Sequence, residues 1–276
     1  MTQSAIYWIN GAFVSADHAT LSITDVGILR GYGVFDYLRS YDGQPFHLMD
    51  HLKRLRSSAD QIGLDMPYDL EDVADITHQL IEKNHDPNVG IRFVLTGGES
   101  TSSLIPDDKS SLAILIHPLS ELPAVLYEQG AKLITSRLQR EFPTVKSTNY
   151  IGAIMAMREA KKQGAVEALY VDNQNQISEC TRSNFFTVND GKIITPVENL
   201  LPGITRQVIM NYAAEIAPLE LASVHLDDLV SVDEVFITSS TKEVLPITQI
   251  DDVVIGNGTV GPITRAVMAR FSQETG

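Results

Sequence analysis

Apolar and polar positions alternate over short runs in the first half of the chain. Ile6 to Ile9 and Gly11 to Val14 flank Asn10-Gly11 and predict a β-hairpin, and Val34 to Tyr41 predicts a further strand that stops at Asp42-Gly43. The period then lengthens. Leu52, Leu55, Ala59 and Ile62 recur at helical spacing behind Asp50, the expected N-cap, and Gly63 closes the helix. Leu70 to Lys83 predicts a second helix, and Gly90 to Leu95 and Ser111 to His117 two more strands. Beyond them Pro118 and Pro123 bracket a mixed stretch. It marks a linker over 119–125 between a small N-terminal domain, 1–118, and a larger C-terminal domain, 126–276.

The second half is richer in strands: Ala131 to Arg137, Glu167 to Val171, Gln176 to Ser178, Asn184 to Val188, Lys192 to Thr195 and Glu234 to Thr238. Helices are expected to start near Asn149, Ile204 and Ile263. Strands that run hairpin-wise before a helix, instead of alternating strictly with helices, predict two α+β domains and not a doubly wound sheet. No repeat with a period of about 20 to 50 residues is present, which excludes solenoids and propellers.

Charge narrows the function. Lys plus Arg number 21 against 35 Asp plus Glu, a net charge of −14, and no basic patch offsets it. Such a surface repels nucleic-acid backbones and anionic membranes, so small-molecule chemistry is expected. The single cysteine, Cys180, forms no intramolecular disulfide, and no CxxC pair offers a zinc site, so no metal is expected. No export signal or spanning run is recognisable, and a cytoplasmic setting is expected.

One motif is set aside. Gly256-Asn257-Gly258-Thr259-Val260-Gly261 has the GxGxxG spacing, but the following strand with an acidic residue about 20 positions on, which a dinucleotide site requires, is missing. A glycine-rich turn leading into a helix is predicted instead.

Three other segments carry more chemistry: Val145-Lys146-Ser147-Thr148-Asn149-Tyr150, Ile177-Ser178-Glu179-Cys180-Thr181-Arg182-Ser183-Asn184-Phe185-Phe186, and Leu201-Pro202-Gly203-Ile204-Thr205-Arg206. Singly, each reads as a solvated lysine, an acid at a strand end and a turn before a helix. With His51-Leu52-Lys53-Arg54-Leu55 and Thr238-Ser239-Ser240-Thr241-Lys242-Glu243-Val244, their order and spacing resemble the class IV, fold-type IV, pyridoxal phosphate-dependent aminotransferases. That family includes D-amino-acid aminotransferases, branched-chain aminotransferases and aminodeoxychorismate lyases.

The resemblance implies a two-domain D-amino-acid aminotransferase-like fold, a homodimer, and pyridoxal 5'-phosphate as cofactor. It implies that Lys146 is the catalytic amine that condenses with the cofactor aldehyde and shuttles the proton, work that surroundings lowering its pKa would favour. Glu179 is implied as the carboxylate that keeps the pyridine nitrogen protonated. For the phosphate it implies backbone N–H groups of Ile204 and Thr205 at a helix start, Arg54, and the turn carrying Ser240 and Thr241. Asn149 and Tyr150 follow the lysine one residue sooner than in the branched-chain pattern.

A substrate carboxylate calls for arginine. The Arg-x-His trap of the well-known D-amino-acid enzymes is missing, since Thr96-Gly97-Gly98-Glu99-Ser100 stands in its place. Arg92 and Arg30 are implied instead, as in an atypical D-amino-acid subgroup, with Arg30 on a loop that reaches the neighbouring subunit's site. Phe35 and Arg39 match substrate-side positions of the branched-chain pattern. The expected reaction moves an amino group from a D-amino acid of the D-alanine or D-glutamate class to 2-oxoglutarate or pyruvate. A branched-chain L-amino-acid aminotransferase is the first alternative, and an aminodeoxychorismate lyase or a non-catalytic pyridoxal phosphate-binding protein comes after it.

Overall fold

The computed structural model describes residues 4–107 and 109–276, and the chain divides into two compact units. One comprises Met1–Ser120 with Val145–Asn149, the other Glu121–Thr144 with Tyr150–Gly276. The segment carrying Lys146, which the sequence reading assigns to the C-terminal domain, therefore clusters with the first unit. Its backbone explains this: the carbonyl of Lys146 accepts from the amide of Phe35 at 2.9 Å, and the amide of Thr148 donates to the carbonyl of Gly33 at 2.9 Å.

The first unit holds β1 (Ile6–Ile9), β2 (Ala12–Ser15), α1 (Val26–Arg30), β3 (Gly33–Tyr41), β4 (Gln44–Pro45), α2 (Leu48–Gln61), α3 (Leu70–Asn84), β5 (Val89–Thr96) and β6 (Ser111–Pro118). The strands form one sheet in the order β2-β1-β6-β5-β3-β4. Asn10 and Gly11 both take positive φ, as a tight hairpin turn between twisted strands requires. One sheet face packs Val34, Leu38, Ile91, Phe93, Leu95, Ile114 and Ile116 against the apolar stripe of α2 and α3. By the alternation of a strand, Phe35, Tyr37, Arg39, Arg92 and His117 lie on the opposite face.

Two local expectations are corrected. Helix α2 begins at Leu48 with His47 as N-cap, not Asp50; Asp50 sits in the first turn, where its carboxylate accepts from His47 Nδ1 at 2.8 Å. Arg30 lies not on a loop but at the end of α1, which Asp25 caps by accepting from the amide of Gly27 at 2.7 Å. Gly31, with φ of 69°, stops that helix in the left-handed conformation.

The buried face also carries charge. Asp36, fully buried on β3, accepts from Arg54 Nε at 2.9 Å, Arg54 NH2 at 2.8 Å and His51 Nδ1 at 2.7 Å. His51 and Arg54 are one turn apart on α2 and so meet the same carboxylate. Burial on its own would raise Asp36, but the Arg54 guanidinium and His51 hold it well below the usual carboxylate range. Burial pushes His51 below its ordinary value against the pull of Asp36, so its ring is a neutral hydrogen-bond donor near pH 7.

The second unit holds α4 (Val125–Gln129), β7 (Ala131–Ser136), α5 (Ile151–Lys162), β8 (Glu167–Val171), β9 (Gln176–Cys180), β10 (Asn184–Asn189), β11 (Lys192–Thr195), α6 (Ile204–Tyr212), β12 (Leu219–Leu221), β13 (Val224–His225), β14 (Glu234–Ser239), β15 (Glu243–Ile250), β16 (Val253–Val254) and α7 (Pro262–Thr275). Its strands run β12-β11-β10-β14-β15-β7-β8-β9-β13, and a further pairing of β10 with β9 closes β10, β14, β15, β7, β8 and β9 into a ring. The closing rung is Asn184 opposite Glu179. Leu133, Leu169, Ile177, Cys180, Phe185, Ile237 and Leu245 belong to one buried cluster of this unit. Burial raises the Cys180 thiol well above its ordinary value, with Glu167 adding to the effect. Strand β15 escapes sequence reading because Pro246, which lacks an amide hydrogen, interrupts its pattern. The stretch Gly256 to Gly261 is a turn, and the Glu234 carboxylate accepts from the amides of Ile263 at 3.0 Å and Thr264 at 2.6 Å. An acid of the protein thus already occupies the start of α7, in keeping with a structural turn there.

Replacing Asp36 with Asn should destabilise the first unit by about 3 to 5 kcal/mol in urea unfolding at pH 7, because it leaves Arg54 buried without its counter-charge. The carboxyl titrates lower folded than unfolded, so this advantage is complete above about pH 4 and is lost as pH falls towards the folded value. Equal stability of variant and parent at pH 7 overturns this account.

Candidate active site

Lys146 is held by its backbone on both sides. Its amide donates to Ser58 Oγ on α2 at 3.1 Å, its carbonyl accepts from Phe35, and Ser147 bridges Val34. His51, Arg54 and Ser58 recur at helical spacing, so one stripe of α2 supports both Asp36 and the lysine segment. The ammonium nitrogen of Lys146 stands 4.7 Å from the centre of the Phe35 ring. Arg92 meets that same ring at 5.5 Å and the Tyr37 ring at 5.4 Å. A cation suited to a carboxylate and the candidate reactive amine therefore flank one aromatic side chain.

Arg39 lies on the same sheet face, over Tyr41 at 4.3 Å. Arg30 is exposed, and its NH1 donates to the carbonyl of Leu29 at 2.8 Å. Arg54 grips Asp36 with two of its three guanidinium nitrogens, which fixes the plane of its fork.

In the second unit Glu179 occupies an irregularity of its strand. Leu169 pairs with Cys180 and Val171 with Ile177, so β9 carries one residue more than β8 across this step, a bulge of the kind that redirects a side chain. Its Oε1 accepts from Arg140 NH1 at 2.7 Å and its Oε2 from the amide of Leu201 at 3.1 Å. Asn184 Nδ2 donates to the carbonyl of Leu201 at 2.8 Å. Glu179 and the turn entering α6 are thereby bound to each other. A Cβ added to Gly203 would stand 1.9 Å from Asn184 Oδ1, so only glycine lets this turn approach so closely.

Helix α6 starts without a side-chain cap, and the amides of Ile204 and Thr205 meet no acceptor among the described residues. Open amides at a helix start suit an anion. Ser240 and Thr241 form the turn between β14 and β15, next to Lys242. Lys242 is buried and ion-paired with Glu167, which also accepts from Thr181 Oγ1 at 3.0 Å, the amide of Arg182 at 2.8 Å and Ser183 Oγ at 2.8 Å. Burial alone would raise Glu167, but Lys242 and then Arg182 lower it below the ordinary value. This pair ties the 239–242 turn to the 181–183 turn that separates Glu179 from Asn184. These features fit pyridoxal phosphate: a carboxylate paired with Arg140 suits a protonated ring nitrogen, and the open amides of Ile204 and Thr205, like the hydroxyls of Ser240 and Thr241, are of the kind that suits a phosphate.

Sequence reading did not single out Asp36, Arg140, Glu167 or Lys242. Asp36 and Glu167 are acids set in runs of apolar strand residues, Val34-Phe35-Asp36 and Glu167-Ala168-Leu169, and an acid so placed needs a buried partner. Tyr150 precedes α5, and burial raises its phenol against the lowering effect of Arg140.

Comparison with known proteins gives the family. The family described as Amino-transferase class IV matches residues 33–250. The chain is 35% identical over 272 residues to a D-alanine aminotransferase of Staphylococcus epidermidis, covering 96% of each. It superposes on the Escherichia coli branched-chain amino acid aminotransferase with a TM-score of 0.92 at 26% identity, covering 98% of this chain and 94% of that one. The branched-chain aminotransferase of the archaeon Thermoproteus uzoniensis, solved with norvaline, gives 0.90 at 28% identity, covering 98% and 94%. With its lysine segment, its carboxylate at the bulge and its open helix start, this chain belongs to the class IV aminotransferases, enzymes that work with pyridoxal phosphate.

Proposed function

We propose that this transaminase takes its amino group from a D-amino acid of the D-alanine or D-glutamate class and delivers it to a 2-oxo acid such as 2-oxoglutarate or pyruvate. The observation that carries the reading is the shared contact of Lys146 and Arg92 with Phe35, which brings an arginine suited to a carboxylate to the ring that also meets the lysine proposed as the reactive amine. The likeness to D-alanine aminotransferases along nearly the whole chain supports the D-specific choice. The Arg-x-His trap is missing at Thr96-Gly97-Gly98-Glu99-Ser100, so in this reading carboxylate recognition falls to Arg92 and Arg30.

Bound pyridoxal phosphate supplies an aldehyde that accepts the amino group and a ring that takes up the electron pair left when the Cα proton departs. Lys146 Nζ would be the amine that holds the cofactor and, as a base, would move the proton from the substrate's Cα. Glu179, oriented by Arg140 and Leu201, holds a proton on the ring nitrogen. Ile204, Thr205, Ser240 and Thr241 bind the phosphate, and Arg54, its fork oriented by Asp36, adds positive charge. Arg92 holds the substrate carboxylate.

Arg30 is proposed to serve a neighbouring copy of the chain, which makes a homodimer the working unit. In support, Ile23 and Ile28 beside it are 74% and 52% exposed, an apolar surface suited to a second subunit.

The branched-chain reading rests on Arg39, which shares the sheet face, and on the branched-chain structures the fold matches. A half-reaction titration separates the two. D-alanine and D-glutamate are expected to bleach the visible absorbance of the bound cofactor while L-leucine and L-glutamate leave it; the reverse pattern makes this a branched-chain enzyme. Lys146→Ala should remove both that absorbance and turnover, and retained activity ends the assignment of the lysine. Arg92→Leu should raise the KM for amino acids by about tenfold or more, the loss of one charged hydrogen-bonded contact. An unchanged KM removes Arg92 from the carboxylate site.

A further inference from the structure

The sheet face that carries Phe35 continues past Arg92. Residues directly opposite one another on neighbouring strands share a face, and the registers give successive rungs: Phe35, Val94 and Ala113; Tyr37, Arg92 and Leu115; Arg39, Gly90 and His117. No acid stands in any of these rungs. The third is unusual, because its central member has no side chain. A Cβ on Gly90 would lie 2.0 Å from the Tyr37 hydroxyl, and Gly90 does not take positive φ, so glycine serves there as space for the phenol. The Tyr37 hydroxyl is thus set over Gly90, between the strands that carry Arg39 and His117.

His117 brings a second observation. Its Nε2 is buried and has no hydrogen-bond partner among the described residues, although Tyr7 packs 6.5 Å from its ring and Arg92 acts on it electrostatically. Burial, and then Arg92, lower its pKa, so the neutral ring offers an N–H rather than a charge. A buried donor left without an acceptor is costly, and an oxygen of an anionic ligand would satisfy it.

We propose that Arg39, the Tyr37 hydroxyl and His117 Nε2 form a second carboxylate subsite, which receives the distal carboxylate of a dicarboxylic amino acid or 2-oxo acid whose α-carboxylate is held by Arg92. The inference rests on the transaminase reading and names the substrate class. Adjacent rungs on one face are about 6.7 Å apart. The terminal carboxyl carbons of an extended five-carbon diacid are about 5 Å apart, which side chains reaching inward from two rungs can span. His117 is then a specificity residue, and a three-carbon substrate leaves its nitrogen without a partner.

The test uses the cofactor-loaded enzyme and two inert probes, glutarate and butyrate, titrated by calorimetry beside the KM values for 2-oxoglutarate and pyruvate. The parent is expected to bind glutarate at least about tenfold more tightly than butyrate. His117→Leu should cut that preference by about tenfold, and His117→Gln, which keeps an N–H donor, should restore most of it. Equal binding of the two probes by the parent overturns the subsite even if the variants fail to fold. A loss that falls equally on both probes, or no loss at all, assigns His117 to the sheet and overturns its role. If the enzyme exchanges amino groups but shows no diacid preference, the subsite alone is wrong; if no amino acid reacts, the transaminase reading fails with it.

Discussion

The buried ion pair between Glu167 and Lys242 is the constraint on which the arrangement of the second unit's candidate site residues depends. A pair of this kind adds little net stability over well-packed apolar side chains, because both charges must leave water. What it supplies here is position. Glu167 gathers a lysine, two hydroxyls and an amide, and those donors come from two turns far apart in sequence. One turn lies between Glu179 and Asn184, the other carries Ser240 and Thr241. Remove either charge and the other is stranded in a medium that penalises it, so the two turns hold a single relative arrangement.

The first unit uses the same logic on a smaller scale. Asp36 is a buried anion in a largely apolar sheet face, and it recruits His51 and Arg54 from one stripe of α2. Ser58, farther along that stripe, receives the amide of Lys146. Packing, charge and the placement of the Lys146 segment are thus tied to one helix face. Helices α6 and α7 of the second unit show the converse. The start of α7 is filled by Glu234, whereas the amides of Ile204 and Thr205 at the start of α6 meet no acceptor among the described residues.

Much of this was legible in the sequence. The hairpin at Asn10-Gly11, the two helices before Gly90 and strands such as Glu167–Val171 follow from apolar periodicity and turn residues, which act locally. The family pattern led to Lys146, Glu179 and the start of α6. Strand β15 stayed hidden because Pro246 suggests an interruption, and only its neighbours β14 and β7 make it a strand. The attachment of the Lys146 segment to β3 is likewise non-local, as is the pairing of Lys242 with Glu167. Register decides which side chains share a face, so the rung of Arg39, Gly90 and His117 could not be read from spacing within any one strand.

The position of Cys180 gives the ring of strands an internal reporter. The thiol belongs to the buried cluster of this unit, holds its proton firmly, and adjoins the rung at which the sheet meets itself. A reagent that needs a thiolate finds neither access nor the reactive form while that seam is shut. Chemical capture of this lone thiol therefore requires transient parting of the strands, and a reagent that reacts faster than the seam recloses reads the rate of opening.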